Sequence, residues 1–160
     1  MASKPGLFGA NLAKFAEQVP EKVETVLRRA SISIMERIVL RTPVGDPTRW
    51  KVNIERKAKG LPPYPPGYVG GRLRGNWNVG LGGINYGLRG VDKTGQEAIR
   101  RNERVISLAK AEQDIYITNS LPYAIPVEYG WSSQEPAGMV RVTATEWNGL
   151  IELAVKEQPK

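Results

Sequence analysis

The sequence predicts an α+β fold, a small antiparallel sheet packed against a long N-terminal helix, with a middle helix, a C-terminal helix and long extended loops. Three observations carry that expectation. Apolar residues recur at steps of three and four from Asn11 to Arg41, side chains alternate in character through Gly70–Leu81, and Asp114–Ser120 is an alternating run rich in β-branched and aromatic residues. At 160 residues, with 41% hydrophobic and 24% charged residues, the chain fits a single domain spanning 1–160 with its own core.

The first helix places Leu12, Phe15, Ala16, Val19, Val23, Val26, Leu27, Ala30, Ile34 and Ile38 along one stripe. Asn11 is suited to cap it, and Thr42-Pro43 to stop it, because the residue before a proline is pushed out of the helical region. Pro20 fits the first position of the main segment after a short leading turn. Glu21, Lys22, Arg28, Arg29, Glu36 and Arg37 form the solvated face. Met1–Ala10, with Pro5, Gly6 and Gly9, is expected to be mobile or ordered by a partner.

Residues 42–71 carry no sustained periodicity and are expected to form a long basic, proline-rich arm. Five basic residues stand against one acidic between Arg49 and Lys59, and Leu61–Gly67 reads Leu-Pro-Pro-Tyr-Pro-Pro-Gly, a composition that favours extended polyproline II and refuses a sheet interior. A loop of this length is either functional or a surface excursion. As an arm it would dock on a neighbour through Trp50, Tyr64 and Tyr68.

Gly70–Leu81 is expected to be a half-buried strand. Leu73, Gly75, Trp77, Val79 and Leu81 share one face, and Arg72, Arg74, Asn76 and Asn78 the other. Trp77 is the expected core anchor, since an indole buries about 150 to 250 Å². Ten of the 17 glycines lie between Gly67 and Gly95, so residues 80–93 are expected to be a flexible hairpin tip. Gly80-Leu81-Gly82-Gly83 is too small a part of a nucleotide-binding fingerprint and lacks the capped helix that should follow at once.

Thr94-Gly95-Gln96-Glu97 matches a capping box and opens the middle helix. Ala98, Ile99, Val105, Ile106 and Ala109 form its apolar stripe, leaving Arg100, Arg101, Arg104 and Lys110 outside. Asp114–Ser120 is the second strand. Pro122 and Pro126 confine Leu121–Gly130 to an edge strand or an irregular turn, and Trp131–Pro136 is a loop. Met139–Lys156 reads as the last helix, with a strand over Val140–Thr145 as the competing assignment.

Cysteine and histidine are both absent, which removes thiol chemistry, thiolate metal sites, Ser-His-Asp and Cys-His mechanisms and the usual proton carrier near neutral pH. An enzyme would have to run on carboxylates, Lys or Tyr. Glu128 and Glu135 are one such pair for hydrolysis, but 16 acidic residues offer many, and the chain is expected not to be an enzyme and to hold no cofactor or metal. No apolar run approaches a membrane span and no signal-peptide block opens the chain, so a cytoplasm-like compartment is expected. The net charge of +7, from 23 basic and 16 acidic residues, suits a surface that meets DNA or an acidic protein. A basic nucleic-acid-binding module without enzymatic activity, using Arg72 and Arg74 with Arg100, Arg101 and Arg104, is the alternative function, although no recognition-helix or RNA-binding motif accompanies these cations.

Three pieces stand in order: Thr42-Pro43-Val44-Gly45-Asp46 closing the long helix, Gly71-Arg72-Leu73-Arg74-Gly75-Asn76-Trp77, and Asn119-Ser120-Leu121-Pro122-Tyr123-Ala124 running into Glu128-Tyr129-Gly130-Trp131-Ser132. This set resembles the neck or tail-completion proteins of tailed bacteriophages, also described as minor tail components, over about Ala30 to Trp147. In many members Thr-Pro-Val runs within a few residues into the Gly-Arg-Leu segment. Here Pro47–Gly70 intervene, so that insertion takes no role from the family.

The resemblance implies a structural virion protein of the neck, assembled in the host cytoplasm as a homo-oligomeric ring. The ring would be hexameric, or dodecameric if it sits directly on the head connector. Its implied partners are the head-side connector or portal-adaptor proteins, the tail tube or tail terminator, and double-stranded DNA in passing. On that reading Tyr123, Glu128, Tyr129 and Trp131, with Trp50, Tyr64 and Tyr68 of the arm, are the candidate assembly contacts. Arg72, Arg74, Arg100, Arg101 and Arg104 are the candidates to face the DNA channel, touching phosphates without reading bases.

Overall fold

The computed structural model describes residues 20–157, with side chains described from residue 22 onward. The readings made for Met1–Ala10 and for the leading turn from Asn11 to Val19 lie outside the described residues. The architecture is α+β: a two-stranded antiparallel sheet and a long N-terminal helix enclose the core with shorter helices.

Helix α1 spans Pro20–Arg41 and buries Val23, Val26, Ala30, Ile34, Met35, Ile38 and Val39, adding Met35 and Val39 to the stripe read from the sequence. It ends where expected, and Thr42 ties that end to the sheet. The Thr42 hydroxyl donates to the Ile38 carbonyl at 2.7 Å and accepts from Trp77 Nε1 at 2.6 Å. Trp77 is 5% exposed and packs in one cluster with Ile34, Met35, Ile38, Leu73, Ile99 and Met139.

The segment from Gly70 to Leu81 is not one strand. Arg72–Gly75 is a single helical turn, α3, and only Trp77–Leu81 is strand β1. Gly71 starts the turn at φ +99°, pressed against the backbone of Asp92 and Lys93 where any side chain would overlap. The Gly71 carbonyl accepts from both Gly75 N and Asp92 N, and Asn76 Nδ2 donates back to the Arg72 carbonyl at 2.6 Å, closing the turn. Arg74 is thereby swung onto the end of α1 and does not lie on an exposed strand face. Its guanidinium donates to the carbonyls of Leu40, Thr42 and Lys93 at 2.7–3.0 Å, satisfying the carbonyls that a helix end leaves open.

β1 pairs antiparallel with β2, Ile115–Asn119, in a register that sets Trp77 opposite Asn119 and Leu81 opposite Ile115. Asn76 and Asn78, read as exposed, are buried, because the glycine-rich loop folds back over their side of β1. Asn76 bonds the backbone of Arg89 in both directions, at 2.6 and 3.0 Å, and Asn78 Nδ2 donates to the Gly87 carbonyl at 2.7 Å. Asn85 bridges the Val79 carbonyl and Gly87 N. Residues 82–92 are thus fastened by asparagine side chains to the strand they follow, not extended as a hairpin tip.

Helix α4, Gln96–Ile106, buries Ala98, Ile99 and Ile106. Asp92, not the box at Thr94, caps it: one carboxylate oxygen accepts from Gly95 N at 2.8 Å and the other from Ala98 N at 2.9 Å. Partial burial works against the Asp92 carboxylate, but the amides of Ala98 and Gly95 and the Thr94 hydroxyl outweigh it and hold this group below the ordinary aspartate range. From the same helix, buried Asn102 covers the far edge of β1, accepting from Val79 N at 3.1 Å and donating to the Trp77 carbonyl at 2.8 Å. Arg101 also turns inward, its Nη2 donating to the carbonyls of Gly75 and Trp77 at 3.0 Å each.

The arm is structured where a loop was expected. A 3₁₀ turn, Pro47–Arg49, capped by Asp46, leads into helix α2, Lys51–Ala58. Buried Asn53 then gathers the arm on itself, donating to the carbonyls of Pro47 and Tyr64 and accepting from Tyr64 N. Leu61–Val69 remains exposed and irregular. Leu121–Trp131 is neither strand nor plain loop. It forms a short helix α5, Ala124–Pro126, and a wider π-type turn over Val127–Trp131 that Gly130 ends at φ +95°.

The C-terminal helix is two helices, α6 (Val140–Thr145) and α7 (Trp147–Lys156), and no strand forms over Val140–Thr145. At their junction the Glu146 carboxylate accepts from Arg37 and Arg41 on α1. Leu150, Ile151 and Ala154 of α7 are buried, the last two in one cluster with Val26 and Ala30 of α1.

Candidate assembly interface

The base of the arm, the α3 turn and the π-type turn meet around an open cleft of about 670 Å³. Trp50 and Tyr68 form one wall, their ring centroids 4.7 Å apart and tilted by 60°. Gly45 allows this approach, since a side chain there would overlap the Tyr68 ring. Arg49 and Arg72 add positive charge, and Tyr123, Val127 and Trp131 also line the cleft. Partial burial holds the Tyr123 phenol above its ordinary pKa, Arg72 acts against this and Tyr68 adds to it.

The cleft brings together Trp50, Tyr68, Tyr123 and Trp131, which the sequence separates by up to 81 positions (131 − 50). Trp131 is 83% exposed and Tyr129 68% exposed, the latter held with the Arg141 guanidinium 4.8 Å from its ring centroid. Tyr64 does not reach the cleft: its backbone is pinned to Asn53 and its ring is exposed on the arm.

Glu128 has an internal task. Its carboxylate accepts from Met139 N, Val140 N and Arg141 N at 2.8–2.9 Å, and Arg141 returns a bond to the Glu128 carbonyl at 2.6 Å. It therefore ties the π-type turn to the start of α6 and is withdrawn from the candidate contacts. Partial burial disfavours the charged form, yet the three amides and Arg141 prevail and lower the Glu128 pKa. A carboxylate with a depressed folded pKa stabilises the fold above its unfolded pKa and loses that contribution as pH falls through the folded value. Glu128→Gln should accordingly cost about 1–2 kcal/mol at pH 7. The gap to the parent should close as pH drops below about 4; parallel melting curves at every pH would contradict this.

The five arginines proposed to face DNA separate into two sets. Arg72, Arg100 and Arg104 are exposed. Arg74 and Arg101 are committed to backbone carbonyls and are corrected to structural roles. Burial, the leading cause in both, lowers their pKa values from that of free arginine. Sequence reasoning missed Arg49 and Ser132–Gln134 on the cleft; the basic run containing Arg49 was visible, but nothing local tied it to Tyr123. Among the described residues no group of three His, Cys, Asp or Glu is placed to hold a metal ion, and no helix is long and apolar enough to cross a membrane. Comparisons with protein-family models, with curated proteins and with solved structures find no match for this chain.

Proposed function

We propose that this chain is a structural subunit of the neck of a tailed bacteriophage, a tail-completion or connector protein that forms a homo-oligomeric ring between the DNA-filled head and the tail. The resemblance of its three ordered motifs supports the family. The observation that carries an assembly role is the exposure of Trp131 and Tyr129 beside a cleft walled by Trp50, Tyr68 and Tyr123. Large rings left in water next to a concave aromatic surface suit burial against a partner, where Trp and Tyr contribute most of the energy. The arm supplies half of that cleft and leaves Leu61–Val69 exposed, as suits heterologous contacts that close into a ring. The role is structural, without cofactor or catalysis, and the ring is hexameric, or dodecameric directly on the head connector.

Its partners are a second copy of itself, the head-side connector and the tail tube or terminator. DNA passes the exposed Arg72, Arg100 and Arg104 in contacts that salt weakens. The test is light scattering with negative-stain microscopy of the purified protein, alone and with head and tail preparations. Rings are expected. Trp131→Ala should weaken subunit association roughly 30-fold while changing unfolding stability by no more than about 0.5 kcal/mol. Association unchanged by Trp131→Ala and Tyr129→Ala together would remove this surface from the interface.

A further inference from the structure

We propose that the cleft is filled by the tip of the arm of a second copy, Leu61–Pro66, so that each subunit gives one arm tip and takes another. This rests on the reading of the cleft as an assembly interface and names what enters it. The tip reads Leu-Pro-Pro-Tyr-Pro-Pro and lies between Lys59 and Arg72 in residues 60–71, which carry no charge in a chain of which 24% is charged. The whole tip is exposed, with Leu61 at 47% and Tyr64 at 58%.

The backbone of the tip makes it fit for burial. Its prolines have no N–H, and the N–H groups that remain are used inside the chain: Leu61 N donates to the Arg56 carbonyl at 2.9 Å and Tyr64 N to Asn53 Oδ1 at 2.7 Å. Arg56 Nε and Asn53 Nδ2 donate to the carbonyls of Pro62 and Tyr64 at 2.7 and 2.8 Å. The tip can therefore leave water without stranding a donor. The same bonds fix its shape before any partner arrives, which lowers the ordering cost of binding.

The cleft supplies the matching chemistry. Trp50, Tyr68, Tyr123 and Trp131 offer aromatic rings, and aromatic-lined grooves are the sites that take up proline-rich segments. Arg49 and Arg72 add donors for the carbonyls of a segment that has acceptors to spare, while the Asp46 carboxylate is occupied by Thr48. The volume of about 670 Å³ suits an occupant of this size, since ligand sites run from about 300 to about 1,000 Å³. The subunit cannot fill its own cleft. Gly67, Tyr68 and Val69 already line it, so the chain enters the lining as soon as it leaves the tip, and the tip itself is tied back to Asn53 and Arg56 of α2. The occupant is accordingly the same tip on another copy. Tip and cleft are different patches of one surface, so the contact is heterologous, and repeating it closes a ring when the rotation allows.

The chain has no cysteine, so Pro63→Cys in one preparation and Ser133→Cys, on the cleft lining, in another leave a single route for a short bismaleimide cross-link. Mixed, the two full-length proteins should form covalent dimers, and either preparation alone should give only a small part of that yield. Adding Leu61→Asp and Tyr64→Asp to the Pro63→Cys chain should cut the yield roughly tenfold or more, with an unchanged melting temperature to show that the fold survives. Light scattering separates two levels of failure. Association that Trp131→Ala weakens, with no cross-link between the mixed chains, would overturn this occupant and leave the cleft to another surface, of a copy or of a head or tail protein. Cross-linking undiminished by the two aspartates would overturn it as well. No association under any of these conditions would remove both the occupant and the assembly reading beneath it.

Discussion

Trp77→Ala is expected to lower the unfolding free energy by about 3–5 kcal/mol, the cost of emptying a large aromatic site that the surroundings cannot refill. Trp77 is buried among α1, α3, α4 and the start of α6, so its removal affects every layer of the domain. Its indole N–H also ends a relay through the Thr42 hydroxyl to the Ile38 carbonyl. Thr42→Val, nearly the same in shape, should cost about 1–3 kcal/mol because a buried donor is left unpaired. Urea denaturation with a constant slope measures both. A melting temperature unmoved by Trp77→Ala would mean that the indole is not in the core and would undo the position of β1.

Asn102→Ala is expected to cost about 2–4 kcal/mol although it removes few apolar contacts. The side-chain amide of Asn102 acts as a substitute strand: its oxygen takes the Val79 N–H and its nitrogen serves the Trp77 carbonyl. Without it the Val79 N–H is buried and unpaired, while the Trp77 carbonyl keeps only Arg101. Asn102→Asp restores the acceptor alone and brings a carboxylate against that carbonyl in a buried site, so it should be no better than alanine at pH 7. If both variants melted within about 0.5 kcal/mol of the parent, this edge of the sheet would have to be open to water.

The elements legible in the sequence are those whose period holds over many residues. Steps of three and four through 22 residues specify α1, and Ile115–Asn119 carries a β-branched alternation that no helix would favour. Arg72-Leu73-Arg74-Gly75 was misleading because four residues cannot separate a period of two from one of 3.6. What decides there is a contact with Asp92 and Lys93, about twenty positions away. The roles of Arg74, Arg101 and Glu128 were hidden for a related reason: the charged groups engage backbone atoms of distant segments, and spacing along the chain carries no trace of which carbonyls or amides lie unpaired. The cleft was half legible. Each of its rings stood out as an aromatic in a proline- or glycine-broken stretch, but their meeting depends on the arm folding around Asn53, an asparagine that nothing in the local sequence marks.

If this chain joins phage heads to tails as proposed, the most direct test is to disrupt its gene in the genome that encodes it and examine the particles produced by electron microscopy. DNA-filled heads and separate, complete tails, with infectivity restored when the protein is supplied, are the result expected of a neck subunit. Joined, intact particles that lack the protein would contradict the assignment, whatever ring it forms in solution.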